Sequence, residues 1–199
     1  MNKILIAIPT FENILPDTFK SVYNLEVPEG TSCYFEFING YGCAKARNDI
    51  AKLALEQQYT YVMMVDSDII LPSNALVSMY SAQLDICLGV YPRKNTSTSQ
   101  TEIFKLGQDN FVEVYTAEQI DALNGMKAEI KGGGLGCSLI RTDIFSTLVF
   151  PWFKYVEYNN GETLSEDNYF CNLAASAGYK IYVDSAVRCG HSIRGFQWR

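Results

Sequence analysis

The sequence predicts an α/β domain with a mostly parallel central sheet flanked by helices, and three observations lead there. Two continuous apolar runs, Ile4 to Ile8 and Tyr61 to Val65, are too apolar for surface strands and read as strands buried on both faces. Segments with helical apolar spacing separate the strand-like runs, so strand, helix, strand, helix and strand fit within residues 1–70. Finally, 199 residues with 48% hydrophobic content suffice for the core of one domain and hardly for two.

Taken in order, Lys3 to Thr10 is the opening strand, closed by Pro9. Pro16 to Leu25 is a short helix, with Pro16 in its first turn and Phe19, Val22 and Tyr23 on one side. Cys33 to Asn39 is strand-like, and Asn39-Gly40-Tyr41-Gly42 is a loop at its end. Ala46, Ile50, Leu53 and Ala54 recur at helical spacing, with Lys45/Asp49 and Lys52/Glu56 as opposite charges on the wet side. The Tyr61 strand follows, then a helix over Pro72 to Gln83 and a strand over Asp85 to Tyr91. Pro92 to Gln100 is polar and turn-rich and reads as a mobile loop. Here the alternation breaks. Glu102 to Leu106 and Phe111 to Tyr115 read as a hairpin, a small second sheet in the C-terminal half. Strand-like pieces at Met126 to Lys131 and Gly136 to Ile140 surround Gly132-Gly-Gly134. A helix over Ser165 to Ala177 is closed by Gly178, and Lys180 to Val183 and Ala186 to Arg188 are the last strands.

Composition narrows the function. The net charge is -6 with 16 Lys and Arg, and no basic run could neutralise a row of phosphates, so extended nucleic-acid binding is not expected. The six cysteines contain no Cys-x-x-Cys pair and read as reduced, mostly buried thiols. Met1 to Ile8 mimics a signal peptide, but Pro9 stops the apolar part and no small-residue cleavage site follows. No run reaches the ~18–20 apolar residues of a membrane helix, so a soluble cytoplasmic protein is the expectation.

Four constellations carry chemistry. Asp66-Ser67-Asp68 ends the buried Tyr61 strand, and alternation along an extended chain turns both carboxylates toward one spot at the sheet rim. Open α/β sheets bind ligands at that rim. Two such carboxylates repel unless a cation sits between them, and an all-oxygen set suits Mg²⁺ or Mn²⁺. An Asx-type turn with a helix cap explains the same residues without a metal. Ser165-Glu166-Asp167-Asn168 opens a helix; the acids either favour its positive end or supply a general base. His191, the only histidine, lies in a glycine-flanked turn past the last strand, as an ordinary packed residue or as a metal ligand. Lys131-Gly-Gly-Gly-Leu-Gly-Cys137 lets the backbone approach something closely, a ligand or merely a tight bend.

In this order the pieces resemble a glycosyltransferase of the GT-A fold, similar to family 2 and its small bacterial and phage-type relatives. The resemblance spans nearly the whole chain. It implies a single GT-A (Rossmann-like) domain, with 1–91 as the nucleotide-sugar-binding half and 92–199 as the acceptor-side half. It implies donor contacts from Pro9, Thr10 and Glu12 after the first strand, from Asn39 and Arg47, and from Gly133 and Gly134 along the sugar. Asp66-Ser67-Asp68 resembles the family's Asp-x-Asp motif: Asp66 contacts ribose or metal, and Asp68 ligates the metal on the diphosphate. His191 resembles the late metal-binding histidine. Asp167, beside Glu166, stands in the base position of inverting members, and Trp152 stands where acceptor-side aromatics lie. The implied reaction is hexosyltransferase-like, moving a sugar from a UDP- or GDP-sugar to a hydroxyl acceptor with Mn²⁺ or Mg²⁺. The acceptor, a glycan, lipid, protein or modified base, stays open, as does retention or inversion. Gln197-Trp198-Arg199 has the residue types of a processive Gln-x-x-Arg-Trp motif at the wrong spacing, so polymer synthesis is not implied.

Two rivals remain at this point. A nucleotidyltransferase acting on a sugar phosphate also pairs a parallel sheet with metal-binding carboxylates, but it needs a triphosphate cradle that Ile8-Pro-Thr-Phe-Glu12 does not offer. A non-catalytic nucleotide-sugar binding module differs from a transferase by releasing no free sugar from the donor.

Overall fold

The computed structural model describes residues 1–10, 13–40, 42–94, 99–107 and 112–192. In chain order come β1 (Asn2–Thr10), α1 (Pro16–Tyr23), β2 (Thr31–Asn39), α2 (Cys43–Glu56), β3 (Tyr61–Val65), β4 (Ile69–Ile70), α3 (Ala75–Ser81) and β5 (Ile86–Val90). Then follow β6 (Gln100–Leu106), β7 (Val112–Thr116), α4 (Ala117–Asp121), β8 (Lys127–Ile130), β9 (Gly132–Gly133), β10 (Cys137–Arg141) and α5 (Ile144–Thr147). Beyond these lie β11 (Val156–Glu157), β12 (Thr163–Leu164), α6 (Glu166–Ser176), β13 (Ile181–Arg188) and β14 (Gly190–His191).

The central sheet has seven strands in the order β2-β1-β3-β10-β5-β13-β8. β2, β1 and β3 are parallel, as the strand–helix–strand spacing predicts, and β13 is parallel to β5. The remaining three pairings, β3–β10, β10–β5 and β13–β8, are antiparallel. The sheet is therefore mixed rather than mostly parallel. The reason lies in how β10 enters: no helix carries the chain back across the sheet, and Cys137 begins opposite Val65, the last residue of β3. A strand that starts at its neighbour's carboxyl end has to run against it.

β3 is wholly buried, and its side chains divide between two cores. Val62 and Met64 join Leu5, Ala7, Ile50, Phe153 and Phe170 on one face. Tyr61, Met63 and Val65 join Ile4, Ile6, Ile8, Leu76 and Met79 on the other. This two-sided burial is what the continuous apolar runs encode. The smaller sheet β7-β6-β9 contains the expected hairpin.

Some local readings change. The two expected last strands form one strand, β13, with an irregularity after Asp184. Fully buried Asp184 receives Ser78 Oγ at 2.6 Å and Lys127 Nζ at 3.0 Å there. Helix α4 was not expected, although its capping box, Thr116 with Gln119, is visible in the sequence. Lys45 and Asp49 pair at 2.5 Å, whereas Lys52 lies over the Phe150 ring rather than being paired with Glu56. Trp152 is a core residue, packed on Phe145 and donating from Nε1 to Leu148 O. All six cysteines are free thiols, four of them buried. Among the described residues no helix is long and apolar enough to cross a membrane.

Candidate active site

At the carboxyl ends of β1, β3 and β5 lies a cavity of about 660 Å³. Pro9 and Thr10 reach it from β1, Asp66, Ser67 and Asp68 from the turn after β3, and Tyr91, Arg93 and Lys94 from just past β5. Gly134, Asp167, Asn168 and His191 form much of the remaining wall.

The strand character of β3 ends before the acidic turn. Ile69 N–H donates to Asp66 O at 3.1 Å, closing a tight turn over Ser67 and Asp68, so the two-residue alternation no longer governs where these carboxylates point. Both line the cavity, but each takes different partners.

Asp66, itself part-exposed, is tied to the buried Arg47. The Arg47 side chain, 1% exposed, donates from Nη2 to Asp66 Oδ1 at 2.9 Å. Its Nε lies 3.6 Å from Glu166 Oε1 and 3.3 Å from Asp167 Oδ1, close enough for charge attraction but without hydrogen-bond alignment. Three carboxylates therefore share one guanidinium. Asp167 Oδ1 is turned inward, which leaves Oδ2, the acceptor of Leu135 N–H at 3.2 Å, to face the cavity. Burial pushes the Asp167 carboxyl up to about 7; Arg47 opposes the shift, and Glu166 and Asp66 add to it. The helix explains why the two acids lie here. Ser165 caps α6 by accepting Asn168 N–H, which sets Glu166 and Asp167 in the first turn.

Asp68 is held quite differently. Lys94 Nζ sits on its Oδ2, and His191 Nε2 lies 3.6 Å from its Oδ1. Burial raises this carboxyl, but the neighbouring His191 and Lys94 outweigh it and hold Asp68 below the usual carboxylate range. A two-residue ladder brings the histidine here: β14 pairs with β4, His191 opposite Ile69, and Ser192 N–H donates to Asp68 O at 2.9 Å. His191 Nδ1 is 2.7 Å from Pro92 O, an acceptor only, so Nδ1 carries a proton and the ring is fixed in orientation.

The glycine segment packs on this floor. A Cβ on Gly134 would lie 2.1 Å from Tyr91 Oη, and one on Gly136 would lie 2.8 Å from Asp66 Oδ2. Gly136 N–H donates to the Tyr91 hydroxyl at 3.0 Å. Burial, with Asp66 and Asp167 nearby, raises the Tyr91 phenol far above its ordinary range, so it stays a neutral hydroxyl. The missing side chains here make room for protein groups that shape the site.

The donor set fits a hard divalent cation through Asp68 and His191. With Nδ1–H bonded to a carbonyl, Nε2 is the ring nitrogen turned toward Asp68, the outer arrangement of a ligating histidine. The 3.6 Å gap is too long for a hydrogen bond and suits two ligands of one ion. Among the described residues no group of three or more His, Cys, Asp or Glu is placed to hold a metal ion, so Asp68 and His191 would be the protein's share of such a site.

Of the residues singled out from sequence, Pro9, Thr10, Asp66, Ser67, Asp68, Gly134, Asp167 and His191 share the cavity wall. Arg47 and Glu166 lie beneath it as charge partners. Gly133 is buried in β9 opposite Ile103, and Asn39 is exposed at the end of the edge strand β2; neither lines the cavity. Glu12 and the Gln197-Trp198-Arg199 segment lie outside the described residues. Sequence reasoning missed Tyr91, Arg93, Lys94 and Glu102. The described ends of the expected mobile loop are tied down, with Arg93 N–H on Gln100 O at 2.9 Å and Pro92 bridged to Thr101. An Arg-Lys pair just past a buried strand's carboxyl end was the available signal.

No protein-family model and no curated protein matches the sequence. Among solved structures the chain is similar to A197 from STIV, with a TM-score of 0.62 and 18% identity over 97% of this chain and 86% of that one. It is also similar to GalNAc-T7 with UDP, GalNAc and Mn²⁺, with a TM-score of 0.59 and 10% identity over 96% of this chain. The chain spans 44% of the GalNAc-T7 chain. At such identities the likeness is one of fold: a mixed α/β, GT-A-like architecture.

Proposed function

We propose that the protein is a glycosyltransferase that moves a sugar from a nucleotide-diphosphate sugar to a hydroxyl acceptor, assisted by Mn²⁺ or Mg²⁺. One observation carries this reading: Asp167, with a proton affinity near neutrality, shares a cavity with the Asp68–His191 pair at the carboxyl ends of the central strands. The likeness of fold to GalNAc-T7 with UDP, GalNAc and Mn²⁺ supports the donor class.

Residues 1–91 supply the donor side. Pro9, Thr10, Gly40, Gly42 and Cys43 wall the nucleotide, and Asp66, oriented by Arg47, contacts the ribose or the metal. Asp68 and His191 hold the divalent cation, which supplies Lewis-acid stabilisation of the leaving diphosphate. Gly134 bounds the sugar, and the 92–199 half supplies the acceptor side. Asp167 Oδ2 accepts the proton of the attacking hydroxyl, and its pKa of about 7 favours this inverting course, since a base works best with an affinity near the working pH. Arg47 stays behind the carboxylate and stabilises its anionic form before the proton arrives.

The test uses a UDP- and GDP-sugar panel with Mn²⁺, reading thermal shift for binding and free sugar for turnover. Asp68→Ala is expected to lose metal-dependent donor binding; Asp167→Asn is expected to keep it while turnover nearly vanishes. Equal donor affinity in wild type and Asp68→Ala overturns the metal assignment. Donor binding without any sugar release or transfer points to a binding module.

A further inference from the structure

Asp68 already carries a cation. Lys94 Nζ occupies Oδ2 of the carboxylate whose Oδ1 faces His191. The lysine is delivered by an ordered stem: Glu102 N–H donates to Tyr91 O at 3.1 Å, Arg93 N–H to Gln100 O at 2.9 Å, and Pro92 pairs with Thr101. The same stem provides Pro92 O, which orients the His191 ring. One segment therefore sets both groups that meet the Asp68 carboxylate.

A divalent ion at Asp68 and an ammonium on the same carboxylate repel strongly at contact distance. The Lys94 side chain is 44% exposed, so its ion pair is weak enough to be displaced, and its four-carbon stem can swing Nζ without moving the backbone. Once off Asp68, the ammonium needs another anion. Within the same cavity the charge that comes with a divalent cation is the diphosphate of a nucleotide.

We infer that Lys94 is a displaceable counter-cation: it holds Asp68 in the free protein, yields that carboxylate to a divalent cation, and moves its own charge onto the donor diphosphate. Cation and nucleotide then bind together rather than singly, and the coupling is reciprocal. The inference rests on Asp68 being a metal ligand, as proposed above.

The experiment titrates Mn²⁺ against wild type, Lys94→Met, Lys94→Gln and Asp68→Asn, counting free Mn²⁺ by electron paramagnetic resonance, alone and with UDP or GDP. Wild type is expected to bind Mn²⁺ weakly alone and more tightly with a nucleotide. Both Lys94 variants are expected to bind Mn²⁺ alone roughly five- to tenfold more tightly than wild type and to lose most of the nucleotide-induced gain. If either Lys94 variant matches wild type in both conditions while Asp68→Asn abolishes binding, the role of Lys94 is overturned and the metal ligand stands. If no protein binds Mn²⁺ with either nucleotide, or Asp68→Asn binds as wild type does, the metal reading fails and takes this inference with it.

Discussion

Asp66 and Asp68 are two residues apart, yet they belong to opposite kinds of environment. Asp66 is tied to a guanidinium that is 1% exposed and shared with Glu166 and Asp167, beneath the cavity floor. Asp68 sits at the rim with Lys94, nearly half exposed, and a histidine delivered by the chain's distal segment. The contrast gives the two carboxylates of one motif different electrostatic partners. A buried charge cluster is costly to disturb and slow to exchange partners, whereas a rim pair trades partners at little cost.

The largest effect should come from the buried guanidinium. Arg47→Met leaves Glu166 and Asp167 without their cation and is expected to cost about 3–5 kcal/mol of stability, read from urea unfolding at pH 8. The loss should shrink at lower pH, where Asp167 takes up a proton. An unchanged midpoint would show that the cluster is not electrostatically coupled.

Asp167 is the next test. On the base role proposed for it, Asp167→Asn should lose the roughly 10²–10⁴-fold that a base contributes to rate, and wild-type turnover should rise with pH through about 7. Stability should respond with the opposite sign. The folded carboxyl titrates near 7 rather than at the unfolded value of about 3.9. Its stabilising contribution is therefore complete below the unfolded value and is lost as pH rises through 7. Chemical denaturation of wild type and Asp167→Asn from pH 4 to 8 should show the variant gaining relative stability across that window. A constant difference would place the carboxyl in ordinary solvent.

A smaller effect is expected between the two sides. Gly134→Ala puts a methyl 2.1 Å from the Tyr91 hydroxyl, an overpacking cost of about 1–3 kcal/mol. Tyr91→Phe should relieve part of it in the double variant, measured as thermal midpoints. The smallest change in stability belongs to the rim. Asp68→Asn breaks a partly exposed pair and should move stability by less than about 1 kcal/mol, even while metal-dependent donor binding is lost. A destabilisation as large as that of Arg47→Met would erase the distinction between the two carboxylates.

Legibility followed the range of the interactions involved. The β1, β3 and β5 runs were plain because burial on both faces demands unbroken apolar sequence, and the helix opening at Ser165 was plain because capping is local. The resemblance gave Arg47 a nucleotide contact, and nothing in its own helix shows what lies under it. Its carboxylate partners come from the turn after β3 and the start of α6, far along the chain. Lys94 was hidden in a polar stretch that composition alone marks as a loop.

The sequence by itself therefore determined the two-sided strands, the amphipathic helices, and the residue types able to bind a cation or take a proton, since each follows from local pattern or side-chain chemistry. Tertiary structure decided the rest. It reversed β10 and β8 within the sheet, brought His191 onto the Asp-x-Asp turn through β14 and β4, and gave Asp66 and Asp68 different partners. Those outcomes depend on which distant segments meet, and such pairing is set by packing and charge summed over the whole core rather than by any one stretch of chain.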